Sequence, residues 1–331
     1  MPKQKATAVS CANIAFIKYW GNRDHHLRVP LNDSLSMNLA AATTTTSVAF
    51  DAKLEHDRVV INGGELEAAS PAATRVVAHL DRLRARAKLE AKARVESNNN
   101  FPAGAGIASS ASAFAALTLA ATHAAALELS ERELSILARQ GSGSAARSIP
   151  PGFVEWLTSW DANNSYAASI APAEHWDLRD VIAIVSAEEK KIGSTEGHRL
   201  ASTSLFLPER LNALPTRFHH VRRAILAKDL ALLGPAIEED AIELHLIAMT
   251  SRPPIFYWSP AMVRVIQNAL QWRAEGLPVY FTLDAGPNVH LICEAKDADE
   301  VAARTKKIAE VEQVIVNAPG AGARLVEQHL F

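Results

Sequence analysis

Residues 97–127 read SNNNFPAGAGIASSASAFAALTLAATHAAAL. The first ten of them include three asparagines, a proline and two glycines, a composition that breaks regular structure. The following segment, 107–127, is rich in alanine and leucine and predicts a long helix, while 91–96 predicts a strand. The chain therefore passes from a strand through a glycine-containing loop into a helix. Backbone N–H groups of such a loop can approach an anion at the positive end of the helix, and phosphate is the expected ligand.

Three serines lie at the start of this helix, and the hydroxyls of Ser109, Ser110 and Ser112 could bind phosphate or help to hold Mg2+. The alternative is a loop that only turns the chain, with serines that cap a helix. The loop is not a Rossmann fingerprint, because no glycine stands at the last position, and it is not a Walker A motif, because no lysine follows at the required place. Dinucleotide and P-loop sites are therefore disfavoured.

Charge and composition exclude several classes of protein. The chain has 34 basic and 36 acidic side chains with interspersed signs, so we expect neither nucleic acid nor a membrane as its partner. No signal peptide or bilayer-spanning apolar run is present, and a soluble cytoplasmic protein is expected. Cys11 and Cys293 stand far apart and predict reduced thiols. Among the histidines, His219, His220 and His245 are predicted to be surface or packed residues, not metal ligands.

The rest of the pattern predicts an α+β protein divided near residue 185. Ser130 followed by Glu133 predicts a capping box at the start of a helix, and the segment 141–147 predicts a polar loop of small residues. The predicted strands are 6–17, 43–50, 58–61, 91–96, 153–158, 181–186, 278–283, 289–293 and 313–316. The predicted helices are 71–87, 107–127, 130–139 and 297–309, with a predominantly helical region at 194–274.

Five segments resemble known proteins. PAGAGIASSA at 102–111 resembles the phosphate loop of the GHMP kinase superfamily, which includes homoserine, mevalonate and galactose kinases. Four more resemble the mevalonate diphosphate decarboxylases within that superfamily. They are NIAFIKYWG at 13–21, GSGSAAR at 141–147, PPIFY at 253–257 and TLDAGPN at 282–288. Together these matches extend from residue 13 to about residue 290 and are highly specific.

The resemblance implies a GHMP kinase-like fold, with an N-terminal ribosomal-protein-S5-like region at 1–185 and a C-terminal α/β sandwich region at 186–331. A phosphorylated mevalonate and Mg-ATP would bind in the cleft between them, and a homodimer would be usual. The implied activity is ATP-dependent decarboxylation, in which the 3-hydroxyl is phosphorylated and phosphate and CO2 are then lost to leave a double bond. A GHMP kinase that stops at phosphorylation and an inactive binding protein on the same scaffold are the alternatives.

The resemblance also assigns the site residues. Asp284 would be the general base or orient the hydroxyl, Lys18 would pair with Asp284 and the transferred phosphate, and Arg147 would bind the substrate carboxylate. A turn-forming aspartate, a lysine that only extends from a strand end and an exposed structural arginine are the respective alternatives. The substrate-binding residues would be Tyr19, Trp20, Asn22, Ser142, Ser144, Ser194 and Thr195. The nucleotide-binding residues would be Asn98, Pro102, Gly104, Ala105, Gly106, Ala108, Ser109 and Ser110, with Ser110 also a candidate Mg2+ ligand.

Two positions depart from the family. A second lysine usually stands close to the 5-diphosphate where this chain has Asn22, and a methionine is usual where it has His198. Losing a cation beside the outer phosphate favours mevalonate 5-phosphate as substrate, giving isopentenyl phosphate, with mevalonate 5-diphosphate as the alternative. His198 or Arg199 could restore the charge. Because Asp284, Lys18 and Arg147 are all present, decarboxylation is favoured over kinase activity alone.

Overall fold

The computed structural model describes residues 5–101, 109–186 and 192–331. The strands in these ranges are β1 Lys5–Ile17, β2 Asn22–Asp24, β3 Val29–Pro30, β4 Ser34–Asp51, β5 Arg58–Ile61, β6 Gly64–Glu65, β7 Lys92–Asn99, β8 Phe153–Trp156, β9 Ala167–Ala171, β10 Leu178–Ile184, β11 Tyr280–Thr282, β12 Val289–Glu294, β13 Gln313–Asn317 and β14 Arg324–Val326. The helices are α1 Pro71–Ala87, α2 Ser109–Ala124, α3 Glu131–Gly141, α4 Ser194–Leu200, α5 Leu207–Ala227, α6 Leu230–Met249, α7 Pro260–Ala274 and α8 Ala295–Thr305. The mixture of helices and strands confirms the predicted α+β class.

The larger sheet has the strand order β14-β1-β4-β7-β5-β6, and β8 and β9 extend it beside β4. Its centre is the long antiparallel pair of β1 and β4. Most residues of β1 are buried on both faces, which explains its nearly continuous apolar sequence. The prediction found only the second half of β4, because the first half contains the polar residues Ser34, Ser36 and Asn38, all of which are buried.

Helices α1, α2 and α3 pack with this sheet around one hydrophobic cluster that includes Val48, Leu80 and Leu117. The alanines of α2 carry no bulky side chain, and α2 therefore packs closely on β1 and β4. The capping box predicted at the start of α3 is confirmed, because the Ser130 side chain accepts from the Glu133 N–H and the Glu133 side chain accepts from the Ser130 N–H.

The smaller sheet has the order β11-β12-β10-β13, and its two faces pack against different partners. Val181 and Leu291 join a cluster with α7 and α8. Ile182 and Ile292 join another cluster that contains Phe16 of β1 and residues of α5. The end of β1 therefore lies against the second sheet, and this contact brings the residues after β1 close to those after β11.

The structure corrects several predictions. The segment predicted as a polar loop at 141–147 lies largely in a buried 3₁₀ helix, Gly143–Ser148, so it is core and not surface. The short strand β14 was not predicted, and it pairs with β1.

The cysteines and histidines are placed as expected. Cys11 and Cys293 are both free and buried, and His245 is packed while His219 and His220 are exposed. Within the described ranges, no helix is long and apolar enough to cross a membrane.

Candidate active site

Lys18 and Asp284 form an ion pair at the junction of the two sheets. Strand β1 ends at Ile17, and the Lys18 side chain that follows it is only 1% exposed. Its Nζ donates to the Ala15 carbonyl at 2.6 Å and to Asp284 Oδ1 at 2.8 Å. A buried ammonium needs such partners because burial alone disfavours its charge. Lys18 thus contacts Asp284, and its contact with the transferred phosphate stays a prediction.

Asp284 lies just beyond β11, with its side chain 24% exposed. Burial acts to raise the pKa of Asp284, but Lys18, His290 and Arg147 outweigh it and hold that pKa below its usual range. The Gly286 N–H is bonded by the backbone carbonyl of Asp284, not by its carboxylate. The carboxylate is thus directed to Lys18 as an ionised group, and the alternative of a purely turn-forming aspartate is not supported.

Arg147 extends from the buried 3₁₀ helix, and only 3% of the residue is exposed. Its Nη1 donates to Ser34 Oγ at 2.7 Å and its Nη2 to Asn13 Oδ1 at 3.2 Å, while its buried Nε has no hydrogen-bond partner among the described residues. Burial lowers the pKa of Arg147 to about 10, and Asp284 opposes this effect. The guanidinium remains charged at neutral pH and keeps an unused donor, which suits an anionic ligand better than a role on the surface.

The serines predicted to bind ligands meet where α2 begins. Ser110 Oγ lies 3.2 Å from Ser142 Oγ, which in turn lies 3.5 Å from Ser144 Oγ. Gly143 stands between Ser142 and Ser144, and the close packing of the Tyr19 ring requires glycine there, because a Cβ would come within 2.4 Å of that ring. The arrangement places a row of hydroxyls between the helix that follows the phosphate loop and the segment that carries Arg147.

Of the predicted nucleotide-binding residues, Ser109 and Ser110 begin α2, and Asn98 lies on β7 with a buried Oδ1 that has no hydrogen-bond partner among the described residues. Ser112 is buried and hydrogen-bonded to Thr44 Oγ1 at 2.6 Å, so its hydroxyl is not available in the cleft. The remaining predicted nucleotide-binding residues lie outside the described residues; they are Pro102, Gly104, Ala105, Gly106 and Ala108. Across the ranges described, no group of three His, Cys, Asp or Glu side chains could hold a metal ion.

Tyr19 and Trp20 form an aromatic wall together with His198. The Tyr19 and His198 rings stack with centroids 4.0 Å apart, and the Trp20 and His198 centroids are 4.7 Å apart. Burial raises the pKa of Tyr19 to about 12, and its hydroxyl donates to Asn22 Oδ1. Both aromatic residues are buried.

Neither residue suggested to restore the charge missing at Asn22 does so. His198 Nδ1 accepts a hydrogen bond from the Gly21 N–H at 2.9 Å, so that nitrogen carries no proton and the ring is neutral. Arg199 is exposed and paired with Glu196 at 2.8 Å. Neither of these two side chains therefore replaces the missing lysine at Asn22.

Ser194 and Thr195 occupy the first two positions of α4, and the helix is preceded by Gly193 without a side-chain cap. Both residues lie within the helix and not at its N-cap position, which Gly193 occupies. Ser194 lines a cavity of about 70 Å3, whereas Thr195 is exposed and does not line it. The cavity is lined by Ala15, Lys18, Tyr19, Trp20, Ser144, Arg147, Ser194, His198, Leu244, Asp284 and Ala285. One cavity thus joins all three predicted catalytic residues with four of the predicted substrate-binding residues.

Two arginines that the sequence analysis missed lie beside this site. Arg28 Nε donates to the carbonyl of Gln140 at 3.3 Å, and Arg75 Nη2 donates to the next carbonyl, Gly141, at 3.4 Å. Burial lowers the pKa of Arg75, and the nearby positive charge of Arg28 lowers it further. The same charge of Arg28 acts to lower the pKa of Tyr19, against the larger effect of burial. No carboxylate pairs with either guanidinium among the described residues. No spacing pattern marks them, since they meet only at residues 140 and 141.

Comparison with known proteins identifies two domains that together cover most of the chain. Residues 10–167 match the family described as diphosphomevalonate decarboxylase-like N-terminal domain, and residues 180–324 match the mevalonate 5-diphosphate decarboxylase C-terminal domain. A diphosphomevalonate decarboxylase of Aspergillus fumigatus is 38% identical over 92% of this chain and 80% of its own length. The human diphosphomevalonate decarboxylase is 37% identical over 87% of this chain and 76% of its own length.

Solved structures agree with these matches. The structure described as "MDDEF in complex with MVAPP, AMPPCP and Magnesium" has a TM-score of 0.92 and 36% identity, and covers 98% of this chain and 99% of its own. The mevalonate diphosphate decarboxylase from Staphylococcus aureus has a TM-score of 0.92 and 34% identity, with 98% of each chain covered. The GHMP kinase-like fold expected from the resemblance is confirmed. This chain belongs to the diphosphomevalonate decarboxylase family.

Proposed function

We propose that this protein catalyses the ATP-dependent decarboxylation of a 5-phosphorylated mevalonate, in which the 3-hydroxyl is phosphorylated and phosphate and CO2 are then lost. The observation that carries the proposal is the meeting of Lys18, Asp284 and Arg147 in one cavity. The family of the chain supports the same reaction. A division into two regions is part of the proposal, with the N-terminal region supplying Lys18 and Arg147 and the C-terminal region supplying Asp284. The boundary expected near residue 185 would separate β10 from β12 and β13, with which it pairs, so we place the boundary before Leu178.

Asp284 acts on the 3-hydroxyl. Its pKa is held low by Lys18, so it is a carboxylate at neutral pH and its oxygen can accept a hydrogen bond from the hydroxyl. As the hydroxyl oxygen attacks phosphorus, the proton passes to that carboxylate or is stabilised by it. Lys18 Nζ, 2.8 Å from the same carboxylate, fixes its position and offers positive charge beside the reacting oxygen.

Arg147 binds the carboxylate that leaves as CO2. Two of its donors are occupied by Ser34 and Asn13, which fix the plane of the guanidinium, while Nε has no bond among the described residues. When the phosphate departs, the electron pair of the breaking C–C bond forms the new double bond. Fixed cations stabilise the charge on the leaving phosphate, so the chemistry needs no covalent nucleophile.

The residues present fit Mg-ATP. Helix α2 begins at Ser109 with its positive end toward the cleft, and the Ser110 hydroxyl lies within 3.2 Å of Ser142 Oγ. Mg2+ is commonly held by substrate phosphates, water and one or two protein oxygens, so the lack of a carboxylate cluster in the described ranges is compatible with it. Ser109 and Ser110 would hold the phosphates, with Ser110 also a candidate ligand of the metal. Mg-ATP supplies the phosphoryl group that makes the hydroxyl a leaving group.

We propose mevalonate 5-diphosphate as the substrate, because the relatives described above carry that name. The preference for mevalonate 5-phosphate expected from Asn22 is not supported by these comparisons. The geometry offers a reason, since Arg28 and Arg75 bring unpaired guanidinium groups to residues 140 and 141, beside the serine row, and can compensate the missing lysine. Mevalonate 5-phosphate stays the second candidate, because neither His198 nor Arg199 replaces the missing lysine at Asn22.

A paired assay tests both candidates. Purified protein is supplied with ATP and Mg2+ and with each substrate separately, and ADP and CO2 are measured together. Equal ADP and CO2 with a higher kcat/KM for the diphosphate supports the first candidate, whereas a higher kcat/KM for the monophosphate supports the second. ADP without CO2 from both substrates would reject decarboxylation and leave a kinase, and no turnover would leave a binding protein.

The variant Asn22→Lys adds the charge that is absent. A lysine within about 4 Å of a partly solvated phosphate contributes about 1–2 kcal/mol, so we expect kcat/KM for the diphosphate to rise by roughly 5- to 30-fold relative to the monophosphate. Asn22→Gln is the matched control, because it also alters the contact with the Tyr19 hydroxyl but adds no charge. An equal effect of both variants on the two substrates would place Asn22 away from the terminal phosphate.

We also propose a homodimer, on the basis of the family resemblance. Exposed apolar side chains on neighbouring elements offer a surface for a second copy: Leu205 and Phe206 precede α5, and Ile242 and Leu246 lie one turn apart on α6. The hydrogen bond of 2.6 Å between the Ser204 and Thr250 hydroxyls joins these segments. Light scattering should give twice the chain mass of 35.7 kDa, and Leu246→Glu should halve it. A wild-type monomer at micromolar concentration would reject the dimer.

We propose a cytoplasmic location as well. Cys11 and Cys293 are buried free thiols, which is typical of proteins in a reducing compartment. Fractionation of cells with an antibody to the chain tests this location, and recovery of the protein only with membranes or secreted material would contradict it.

A further inference from the structure

The peptide groups of Lys18 lie outside the sheet. Strand β1 ends at Ile17, so neither the N–H nor the carbonyl of Lys18 takes part in a strand ladder. Buried backbone groups need hydrogen-bond partners, and here side chains provide them. The Lys18 N–H donates to Asp240 Oδ2 at 2.7 Å, and the Lys18 carbonyl accepts from Asn32 Nδ2 at 2.9 Å and from Arg210 Nη2 at 3.3 Å.

Asp240 and Arg210 come from two different helices and form an ion pair of their own. Arg210 Nη2 lies 3.0 Å from Asp240 Oδ1, and the two side chains are 1% and 0% exposed. Burying such a pair carries a large desolvation penalty and often adds nothing to stability compared with apolar residues of similar size. The pair joins α5 to α6, and one guanidinium nitrogen, Nη2, contacts both Asp240 and the Lys18 carbonyl.

We propose that Asp240 and Arg210 are positioning residues that set the backbone of Lys18 so that its Nζ reaches Asp284. The Asp240 carboxylate holds the N–H of Lys18, and the Arg210 guanidinium holds its carbonyl together with Asn32, so the pair contacts both peptide groups that flank the Lys18 Cα. The Lys18 side chain leaves this fixed backbone and ends 2.8 Å from Asp284 Oδ1. The proposal rests on the proposed function, because it acts through the role of Lys18 in that reaction.

Two substitutions of Asp240 test whether its hydrogen bond to the Lys18 N–H matters for kcat, apart from any effect on the stability of the fold. Asp240→Ala leaves the Lys18 N–H without its acceptor, and we expect kcat to fall roughly 10- to 100-fold, since small displacements of a reacting group have effects of this size. Asp240→Asn keeps an oxygen that can accept from the Lys18 N–H, and it should retain at least ten times the kcat of the alanine variant. Equal kcat in both variants would contradict the proposal.

Arg210→Lys and Arg217→Lys form a matched pair. Arg217 lies beside the same carboxylates as Arg210. It donates two hydrogen bonds of 2.7 Å to Glu243, and its Nη1 lies 3.7 Å from Asp240 Oδ1, but no bond joins it to Lys18 among the described contacts. Each change keeps the charge and removes the guanidinium fork. We expect Arg210→Lys to lower kcat at least tenfold with little change in the KM for ATP, and Arg217→Lys to leave kcat within about twofold. Equal losses would mean that these charged residues only stabilise the fold.

The pH dependence of kcat adds a result that a structural role would not change. Among the described residues, the charged groups that act on the Asp284 carboxylate are Lys18, His290 and Arg147. His245 of α6 also interacts with Asp284 and Lys18, and burial lowers the pKa of His245 to about 3, so its ring stays neutral near neutral pH. If Lys18 is displaced, the pKa of Asp284 rises and the acid limb of the pH profile moves to higher pH in Arg210→Lys but not in Arg217→Lys. An unmoved limb in Arg210→Lys would overturn the proposal. Wild-type protein that releases no CO2 would reject the proposed function alone. Crystal structures of the two variants would then decide, by whether Nζ leaves Asp284 only in Arg210→Lys.

Discussion

Lys18→Met removes the ammonium of the central ion pair while keeping a side chain of similar length. In the wild type, Nζ lies 2.8 Å from Asp284 Oδ1 and the Lys18 side chain is 1% exposed. Two unit charges at this separation attract by about 6 kcal/mol at an effective dielectric constant of about 20, and desolvation of the ammonium offsets part of that energy. Breaking a buried pair from one side costs roughly 3–5 kcal/mol.

If this loss falls on the transition state, kcat should fall by roughly 10²- to 10⁴-fold. The pH profile should change as well. Burial acts to raise the pKa of Asp284, and Lys18 is the first of the charges that lower it. Without Lys18 the pKa of Asp284 rises, so the acid limb of kcat/KM moves to higher pH. The assay is CO2 release with saturating Mg-ATP, measured from pH 4 to pH 9.

The free energy of unfolding should also depend on the ionisation of Asp284. The lowered pKa of Asp284 means that its ionised form stabilises the wild-type fold above the unfolded pKa of about 3.9, and that this stabilisation is lost as pH falls through the folded pKa. Lys296→Met is the control, since Lys296 forms an ion pair with Glu294 at a similar distance of 2.7 Å but is 69% exposed. A Lys18→Met enzyme with kcat within threefold of wild type and an unmoved acid limb would refute the reasoning.

Three further predictions concern other parts of the chain. Arg147→Lys keeps the charge but loses the fork, and we expect kcat/KM for the mevalonate substrate to fall at least tenfold in initial-rate assays with little change in the KM for ATP. Gly143→Ala places a Cβ within 2.4 Å of the Tyr19 ring and should raise the substrate KM, whereas Gly64→Ala, whose Cβ would meet only a carbonyl at 3.5 Å, should not. Burial lowers the pKa of His79 to about 3, so below about pH 6.5 the unfolded chain takes up a proton that the folded chain does not. The free energy of unfolding therefore decreases as the pH is lowered. His79→Gln should remove about 1.4 kcal/mol per pH unit from that slope between pH 6 and pH 4, measured by urea unfolding.

Elements defined by local patterns were predicted well. The helix Pro71–Ala87 and the strand Arg58–Ile61 have the bounds expected from the sequence. Ser130 and Glu133 form the expected capping box, because a cap depends only on residues within one turn. The candidate site was predictable for a different reason, since the motifs around Lys18 and Asp284 resemble a family whose residues act together.

Features that depend on distant partners were not predictable. Residues 141–147 have a composition typical of a loop, yet Gly141 packs on the Phe114 ring of α2 and Gly143 on the Tyr19 ring, and such contacts with distant residues bury the segment. Strand β14 is three residues long and forms by pairing with the other end of the chain. Asp240 lies on the buried face of α6 with Ile237 and Leu244, but it bonds to a residue 222 positions away, and a pattern within one helix cannot indicate that partner.

Before any substrate is bound, the site already holds its cations at fixed, buried positions. Among the described residues that line the cavity, the cations Lys18 and Arg147 face the single carboxylate of Asp284, so these three side chains together carry an excess of positive charge. An anionic substrate relieves that excess, and the same cations then lie beside the phosphate as its charge grows during departure. Arg28 and Arg75 extend the positive region toward residues 140 and 141. An enzyme that expels phosphate and CO2 without a covalent nucleophile needs this arrangement, because its main task is to hold cations at fixed positions, and the buried side chains that bind the backbone of Lys18 serve that task.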